Sequence, residues 1–300
     1  MNLHLLRIFM AVAERRSFSR AAEQLFISQP AVSKGVRALE TELDLALIDR
    51  GVGSAKGVRL TDSGAALAEH ARGIFALEKA ATEEIRARVG LKRGRLLIGA
   101  STTVAGYWLA PYLAALMGQL PEIDVRVRMG NTDVITQALI ACDIDVALVE
   151  GVVSDARVVS EHWRNDPLQI VVHPGAKFLQ RDQPRLRDLD EQVWLVREAG
   201  SGTHQVAARI MQENNIRPMR TIEIGSNEGI ARAVAGGLGV AILPQRVVRE
   251  LTALGEIRCL EFPELFLLTR PLFLVQLKER PASPLVRAFC QVLRTPSEME

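Results

Sequence analysis

Cysteine is scarce in this 300-residue chain, and the three present, Cys142, Cys259 and Cys290, lie far apart. That spacing excludes a disulfide framework and a Cys-x-x-Cys metal site, and it sets no two thiols beside each other as a redox pair. Histidine is also thin, five residues with no H-x-x-x-H, and no G-x-S-x-G occurs. The chain thus offers neither a metal-ligand cluster nor a nucleophile elbow, and no enzyme, metal or cofactor is expected. No apolar run approaches the roughly 18–20 residues that span a bilayer. The start, MNLHLLRIFMAVAERRSF, has no basic leader and is interrupted by charge, so the expected location is the cytoplasm.

What is present is ample core material. Hydrophobic residues make up 48% of a length that exceeds what one core organises, which favours two or more domains. The net charge of +2 hides an asymmetry: residues 1–95 hold 16 Lys and Arg against 11 Asp and Glu, the remainder 21 against 24. The basic end is the candidate polyanion binder.

Within that end, Leu5, Leu6, Phe9, Val12 and Ala13 share one helical face, and a second short helix from Ser19 repeats the pattern with Ala21, Ala22 and Leu25. Ser28 is a good N-cap, followed by Gln29 and by Pro30, whose missing N–H costs little in a first helical turn. Along the third helix Val32, Val36 and Leu39 point inward, while Gln29, Ser33 and Arg37 stack on another face with Lys34 beside them. Gln pairs with adenine edges, Lys and Arg with guanine or phosphate, and Ser with either, so this face suits a major groove. A solvated helix face would have the same composition. Asp49-Arg50 and the Gly-rich GVGSAKGVRLT follow, with Lys56 and Arg59 in a hairpin-like wing able to reach phosphates or a minor groove.

SFSRAAEQLFISQPAVSKGVRALETELDLALIDR resembles the winged helix-turn-helix of LysR-type transcriptional regulators, and RLTDSG resembles its exit from the wing. The resemblance runs to about residue 294 and implies DNA contacts from Gln29, Pro30, Ser33, Lys34, Arg37 and Arg50. Two positions depart from the family pattern: Asp44 stands where Gly is usual and Ile48 where Phe is usual, both read as packing changes. Gly35, inside the third helix, costs about 1 kcal/mol of helix propensity relative to Ala and is expected to serve close helix packing.

From Asp62 to about Val89 the chain has no proline and is rich in Ala, Glu, Leu and Arg. Leu67, Ala71, Ile74, Glu78, Ala81, Ile85 and Val89 recur at three- and four-residue spacing, a coiled-coil-like seam for a second copy or a helix lying on its own domain. A doubled reader predicts an inverted-repeat operator on duplex DNA. The resemblance adds dimers that pair into tetramers, and it admits RNA polymerase as a partner.

Beyond the basic Leu91-Lys92-Arg93-Gly94, strand and helix patterns alternate to the end, as in α/β lobes. The expected fold is α/β: a winged helix-turn-helix over 1–61, a linker helix over 62–91, and over 92–300 a two-lobed domain that the resemblance makes periplasmic-binding-protein-like. Its first lobe covers about 92–162 and 268–294, its second about 163–267. Ligands of such sheets sit beyond the carboxyl ends of strands. Four such ends lead into small polar residues at helix starts: Ser101-Thr102-Thr103, Gly130-Asn131-Thr132, Gly200-Ser201-Gly202-Thr203 and Ser226-Asn227-Glu228. Free N–H groups and flanking hydroxyls favour a small anion, a carboxylate, a sulfite-like oxyanion or phosphate, although each loop alone reads equally as a cap. Relatives resembling the GNT, REAGSGT and SNEGIARAVAGGLGVAI segments include regulators of sulfur and carbon assimilation, which points to small oxyanions or short organic acids. Arg197 and His204 are candidate charge partners, with Glu198 or Asp190 as alternative mates for Arg197. GSGT lacks the third glycine of a dinucleotide fingerprint because Gln205 stands there. A solute-binding protein and a redox sensor remain as alternative functions.

Overall fold

The computed structural model describes residues 1–49, 58–88, 94–151, 153–180, 184–190, 192–265 and 268–295. Arg50, Lys56 and Val89 lie outside them. The chain divides into two compact units, Met1–Lys79 and Ala80–Glu300.

The first unit opens with helices α1 (Leu3–Arg15), α2 (Phe18–Leu25) and α3 (Gln29–Leu43). Their starts are fixed by short polar caps: Asn2 accepts from the His4 amide, Ser17 from Arg20 and Ser28 from Ala31. Their ends are three non-glycine residues in the left-handed region, Arg16, Phe26 and Asp44. Asp44, at φ 52°, therefore replaces the usual glycine at a position that demands left-handed backbone, so this departure concerns conformation rather than packing. Ile48, by contrast, is buried on β1 (Ile48–Asp49), which pairs with β2 (Arg59–Leu60). Val32, Val36 and Leu39 are fully buried against Leu6, Phe9 and Val12. Gly35 has the expected packing role, since a Cβ there would lie 2.7 Å from Ile8 Cδ1 of α1.

Helix α4 (Asp62–Arg88) begins against the same core, where Ala68 and Ala71 are buried and Leu67, Ile74 and Phe75 pack at its edge. The first half of the expected seam thus covers its own domain, because the three-helix unit needs a fourth apolar face to close its core. Further along, Leu77 and Ile85 are exposed. At the helix start a Cβ on Gly64 would stand 2.0 Å from the Leu47 carbonyl oxygen, a backbone atom held by the Thr61 amide. Gly64→Ala is expected to cost about 1–3 kcal/mol through overpacking. A thermal melt unchanged by that substitution would disprove the close approach.

The second unit carries a seven-stranded sheet in the order β10-β6-β11-β5-β3-β4, with β9 also paired to β6. Its strands are β3 (Gly94–Ser101), β4 (Ile123–Gly130), β5 (Val146–Glu150), β6 (Val158–Val172), β9 (Ala241–Pro244), β10 (Arg258–Leu260) and β11 (Thr269–Leu277). Strands β3, β4 and β5 are parallel, and β11 runs antiparallel to both β5 and β6. A small parallel pair, β7 (Val193–Val196) with β8 (Arg220–Glu223), lies outside that sheet. One long strand, β6, links two cores. The first half of β6 pairs with β11 beside the core of Leu96, Ile98, Leu148 and Phe289, and its second half pairs with β9 and β10 beside the core of Ile170, Trp194 and Ile242.

Helices pack on these cores and on the alternate residues of the same strands: α5 (Thr102–Tyr107), α6 (Leu109–Gln119) and α11 (Pro284–Arg294) at the first core, α7 (Thr132–Ile140) on Ala147 and Val149, α8 (Gly202–Glu213) at the second core, and α9 (Asn227–Ala235) and α10 (Gln245–Ala253) on Val171 and Ala241. The helical stretch after β3 breaks at Trp108, between α5 and α6. Pro111 supplies the reason, for it has no N–H to bond the Tyr107 carbonyl and its ring crowds that group. The break seats the Trp108 ring edge-on to Trp163, 6.0 Å between centroids, with the Arg246 guanidinium 3.9 Å above it. The Gly236-Gly237 pair ends α9, with Gly237 at φ 79°.

Candidate functional site

On the first unit, α3 presents Ser28, Gln29, Pro30, Lys34 and Arg37 exposed, with Ser33 half-buried and Arg59 exposed on β2. The inward face is all aliphatic, so these groups are the side that the fold leaves bare. Glu40 secures the frame by accepting the Leu47 amide at 2.9 Å and the Ile48 amide at 3.2 Å.

In the second unit the four polar helix starts come together. Ser101, Thr103, Thr132, Ser201, Gly202, Thr203 and Asn227 are buried, whereas Thr102, Asn131 and Ser226 are partly exposed. Ser226 caps α9 by accepting the Gly229 amide, which leaves its O–H as a donor. Asn131 caps the Val134 amide and also donates through Nδ2 to Glu198 Oε1 at 3.2 Å, linking two of the loops. Ser101 and Ser201 stand at cap positions without a side-chain capping bond, and Ser101 Oγ and Asn227 Oδ1 are buried without hydrogen-bond partners. Asn227 Nδ2 donates to Thr103 Oγ1 at 2.9 Å, joining α9 to α5 across the two cores. Thr132 donates to the Glu150 carbonyl at 2.8 Å, and a Cβ on Gly202 would lie 2.6 Å from Glu150 Cβ.

The arginines organise this cluster. Arg197 is 2% exposed and grips Glu198 with two bonds of 2.8 Å while donating to Thr102 Oγ1 at 3.2 Å. Partly desolvated, Glu198 is still held below the usual carboxylate range by those bonds. Asp190 instead accepts the Arg217 amide. His204 lies with Nδ1 2.7 Å from the Arg197 carbonyl, which can only accept, so that nitrogen carries the proton.

Three residues at the centre carry no mark in the loop motifs: Arg270, Asp166 and Glu150. Arg270, fully buried, bonds Asp166 Oδ2 at 2.9 and 2.7 Å and Thr203 Oγ1 at 2.7 Å. It also reaches Thr103 Oγ1 at 3.1 Å and Glu150 Oε1 at 3.2 Å. Burial pushes the Asp166 carboxyl above its ordinary range, against the pull of Arg270.

Burial pushes the Cys259 and Cys290 thiols up, opposite to what a reactive thiolate needs. Among the described residues no cluster of three or more His, Cys, Asp or Glu could hold a metal, and no helix is long and apolar enough to cross a membrane.

Residues 3–65 match the family model for the bacterial regulatory helix-turn-helix protein of the lysR family, and residues 90–296 match the LysR substrate binding domain. The HTH-type transcriptional regulator CysL of Bacillus subtilis is 33% identical over 250 residues, covering 83% of each chain. Full-length OxyR of Pseudomonas aeruginosa superposes with a TM-score of 0.75 at 23% identity, covering 99% of this chain and 96% of that one. The regulatory domain of CcmR from Synechocystis, in complex with 2-PG, gives a TM-score of 0.61 at 22% identity over 67% of this chain and 95% of that domain. With a helix-turn-helix reader and an effector-binding domain each matched over its own span, the chain belongs to the LysR family of bacterial transcriptional regulators and is not an enzyme.

Proposed function

We propose that a small oxyanion or short organic acid, held between the two cores of the second unit, sets how this regulator acts on DNA. The observation that carries the reading is the meeting of four polar helix starts on one buried cluster, two of whose serines spend no hydroxyl on their own helices. Helix N-termini and hydroxyl donors stabilise negative charge without requiring a free cation. The effector contacts are assigned to Ser101, Thr102, Thr103, Asn131, Thr132, Ser201, Gly202, Thr203, Ser226 and Asn227. The 2-PG held by the CcmR domain supports a small-molecule effector in this fold.

DNA is read by Ser28, Gln29, Pro30, Ser33, Lys34, Arg37 and Arg59, together with Arg50 and Lys56 of the wing. The exposed Leu77 and Ile85 on α4 support self-association, and a two-fold dimer calls for an inverted repeat with half-sites on successive helical turns. Tetramers and contact with RNA polymerase extend this assembly, and the cytoplasm is its place of action. The domains are set at 1–61, 62–91 and 92–300, with the lobes meeting near 163 and 268.

A thermal-shift screen of small anions tests the effector site. A ligand at 100 times its Kd stabilises the folded state by about 2.7 kcal/mol. Thr102→Val and Ser201→Ala are expected to abolish that shift while leaving basal DNA binding intact. Normal shifts in both variants would place the effector elsewhere.

A further inference from the structure

Three threonine hydroxyls of the cluster share one electronic state. Thr102 Oγ1 accepts from Arg197, and Thr203 Oγ1 accepts from Arg270. Thr103 Oγ1 accepts from both Arg270 and Asn227, which occupies both of its lone pairs. A guanidinium has no acceptor and does not deprotonate, so none of the three arginine contacts can reverse direction. Each hydroxyl hydrogen is therefore left over as a donor, and the site presents donors to whatever enters it.

The arginines, however, offer no surplus charge. Arg270 is shared by Asp166 and Glu150, and Arg197 is held by Glu198. Two guanidinium groups thus stand against three carboxylates, most of this charge being buried. One negative charge on a ligand can be met by the committed hydroxyls and the helix starts. A second would be buried beside carboxylates, and among the described residues both guanidinium groups of the cluster are already paired. An uncharged amide of the same shape would aim its own N–H groups at hydroxyl donors.

Building on the anion reading above, we propose that Arg270 and Arg197 are positioning residues that make this site select a small singly charged oxyanion. They do so by fixing Thr102, Thr103 and Thr203 as donors while their own charge is cancelled by Asp166, Glu150 and Glu198. The selection is against both the neutral amide and the doubly charged anion.

The test uses the full chain with formate, acetate, glycolate and lactate, each paired with its amide, and with oxalate and sulfate as dianions. Affinities come from thermal shift and calorimetric titration. At least one monocarboxylate is expected to bind about tenfold or more tightly than its amide, the worth of one hydrogen bond to a charged group, and more tightly than either dianion. Two double variants, Arg270→Gln with Asp166→Asn and Arg197→Gln with Glu198→Gln, release the hydroxyls; the first leaves Glu150 without its guanidinium, and the second orphans no carboxylate. In each, the acid-to-amide ratio is expected to fall toward unity, more in the Arg270 pair, which frees two hydroxyls rather than one. The second pair lies nearer the surface and keeps the test alive if the first does not fold. If wild type prefers a monocarboxylate but both variants keep its acid-to-amide ratio, or if a dianion or amide binds as well as the acid, the proposal falls and the anion site stands. If no anion of the set binds wild type at all, the anion reading falls and takes this proposal with it.

Discussion

Arg270→Ala is expected to destabilise the effector unit by about 3–5 kcal/mol, the cost of removing one partner from a buried ion pair. For a unit of this size that lowers the melting temperature by on the order of 10 °C. The loss is large because Arg270 is fully buried and serves two carboxylates and two hydroxyls at once. Truncation leaves Asp166 charged in a region that already disfavours its charge, as its raised pKa records. A carboxyl whose folded pKa lies above its unfolded value contributes stability that is fully present below the unfolded pKa and is lost as pH rises through the folded one. Without Arg270 the folded value of Asp166 climbs further, so the penalty should shrink as the solution is acidified toward the ordinary carboxylate range. Melts at several pH values check this. A variant that melts within a degree or two of wild type, with no pH trend, would show that Arg270 does not hold the cluster together.

The reader was legible in the sequence because its signals are local. The Ser28-Gln29-Pro30 start and the spacing of Val32, Val36 and Leu39 lie within one short helix, and capping and packing follow from neighbours a turn away. Gly35, an oddity in a helix, is explained by Ile8, and Asp44 only becomes meaningful once its left-handed φ is seen. The four polar loops could also be read, because each follows a strand and starts a helix. What binds them together could not. Glu150, Asp166 and Arg270 come from three strands and meet only through the pairing of β5, β6 and β11.

A faint signal did exist. Arg270 falls in period two with the buried Leu272 and Leu274, and Asp166 with the buried Leu168, Ile170 and Val172, so each is a charge on the inward face of its strand. A buried charge requires a partner, and the sequence holds too many candidates to name it. The coiled-coil-like seam left its partner open for a related reason: apolar spacing marks a face that must be covered, and Leu67, Ala71 and Ile74 are covered from within the chain. Periodicity alone does not say which apolar surface does the covering.

Lys34→Ala and Arg37→Ala are expected to weaken operator binding strongly, because both cations stand exposed on the bare side of α3 and a dimer places each of them on DNA twice. If a side chain meets phosphate, each phosphate left without its cation lowers the slope of log K against log salt by about 0.9, hence about 1.8 per dimer, and the weakening is greatest at low salt. If it meets a base edge, binding falls by about 1–3 kcal/mol per half-site, and discrimination at one position of the operator relaxes while the slope holds. Gln29→Ala separates the two cases, since an uncharged side chain that reads adenine can change sequence preference but not the counterion release. Fluorescence anisotropy on an operator selected from random duplexes, repeated across a salt series, gives both quantities for all three variants. The helix cannot lie in the groove as argued if Lys34→Ala and Arg37→Ala leave affinity, slope and footprint unaltered, because α3 carries no other cation on its exposed side.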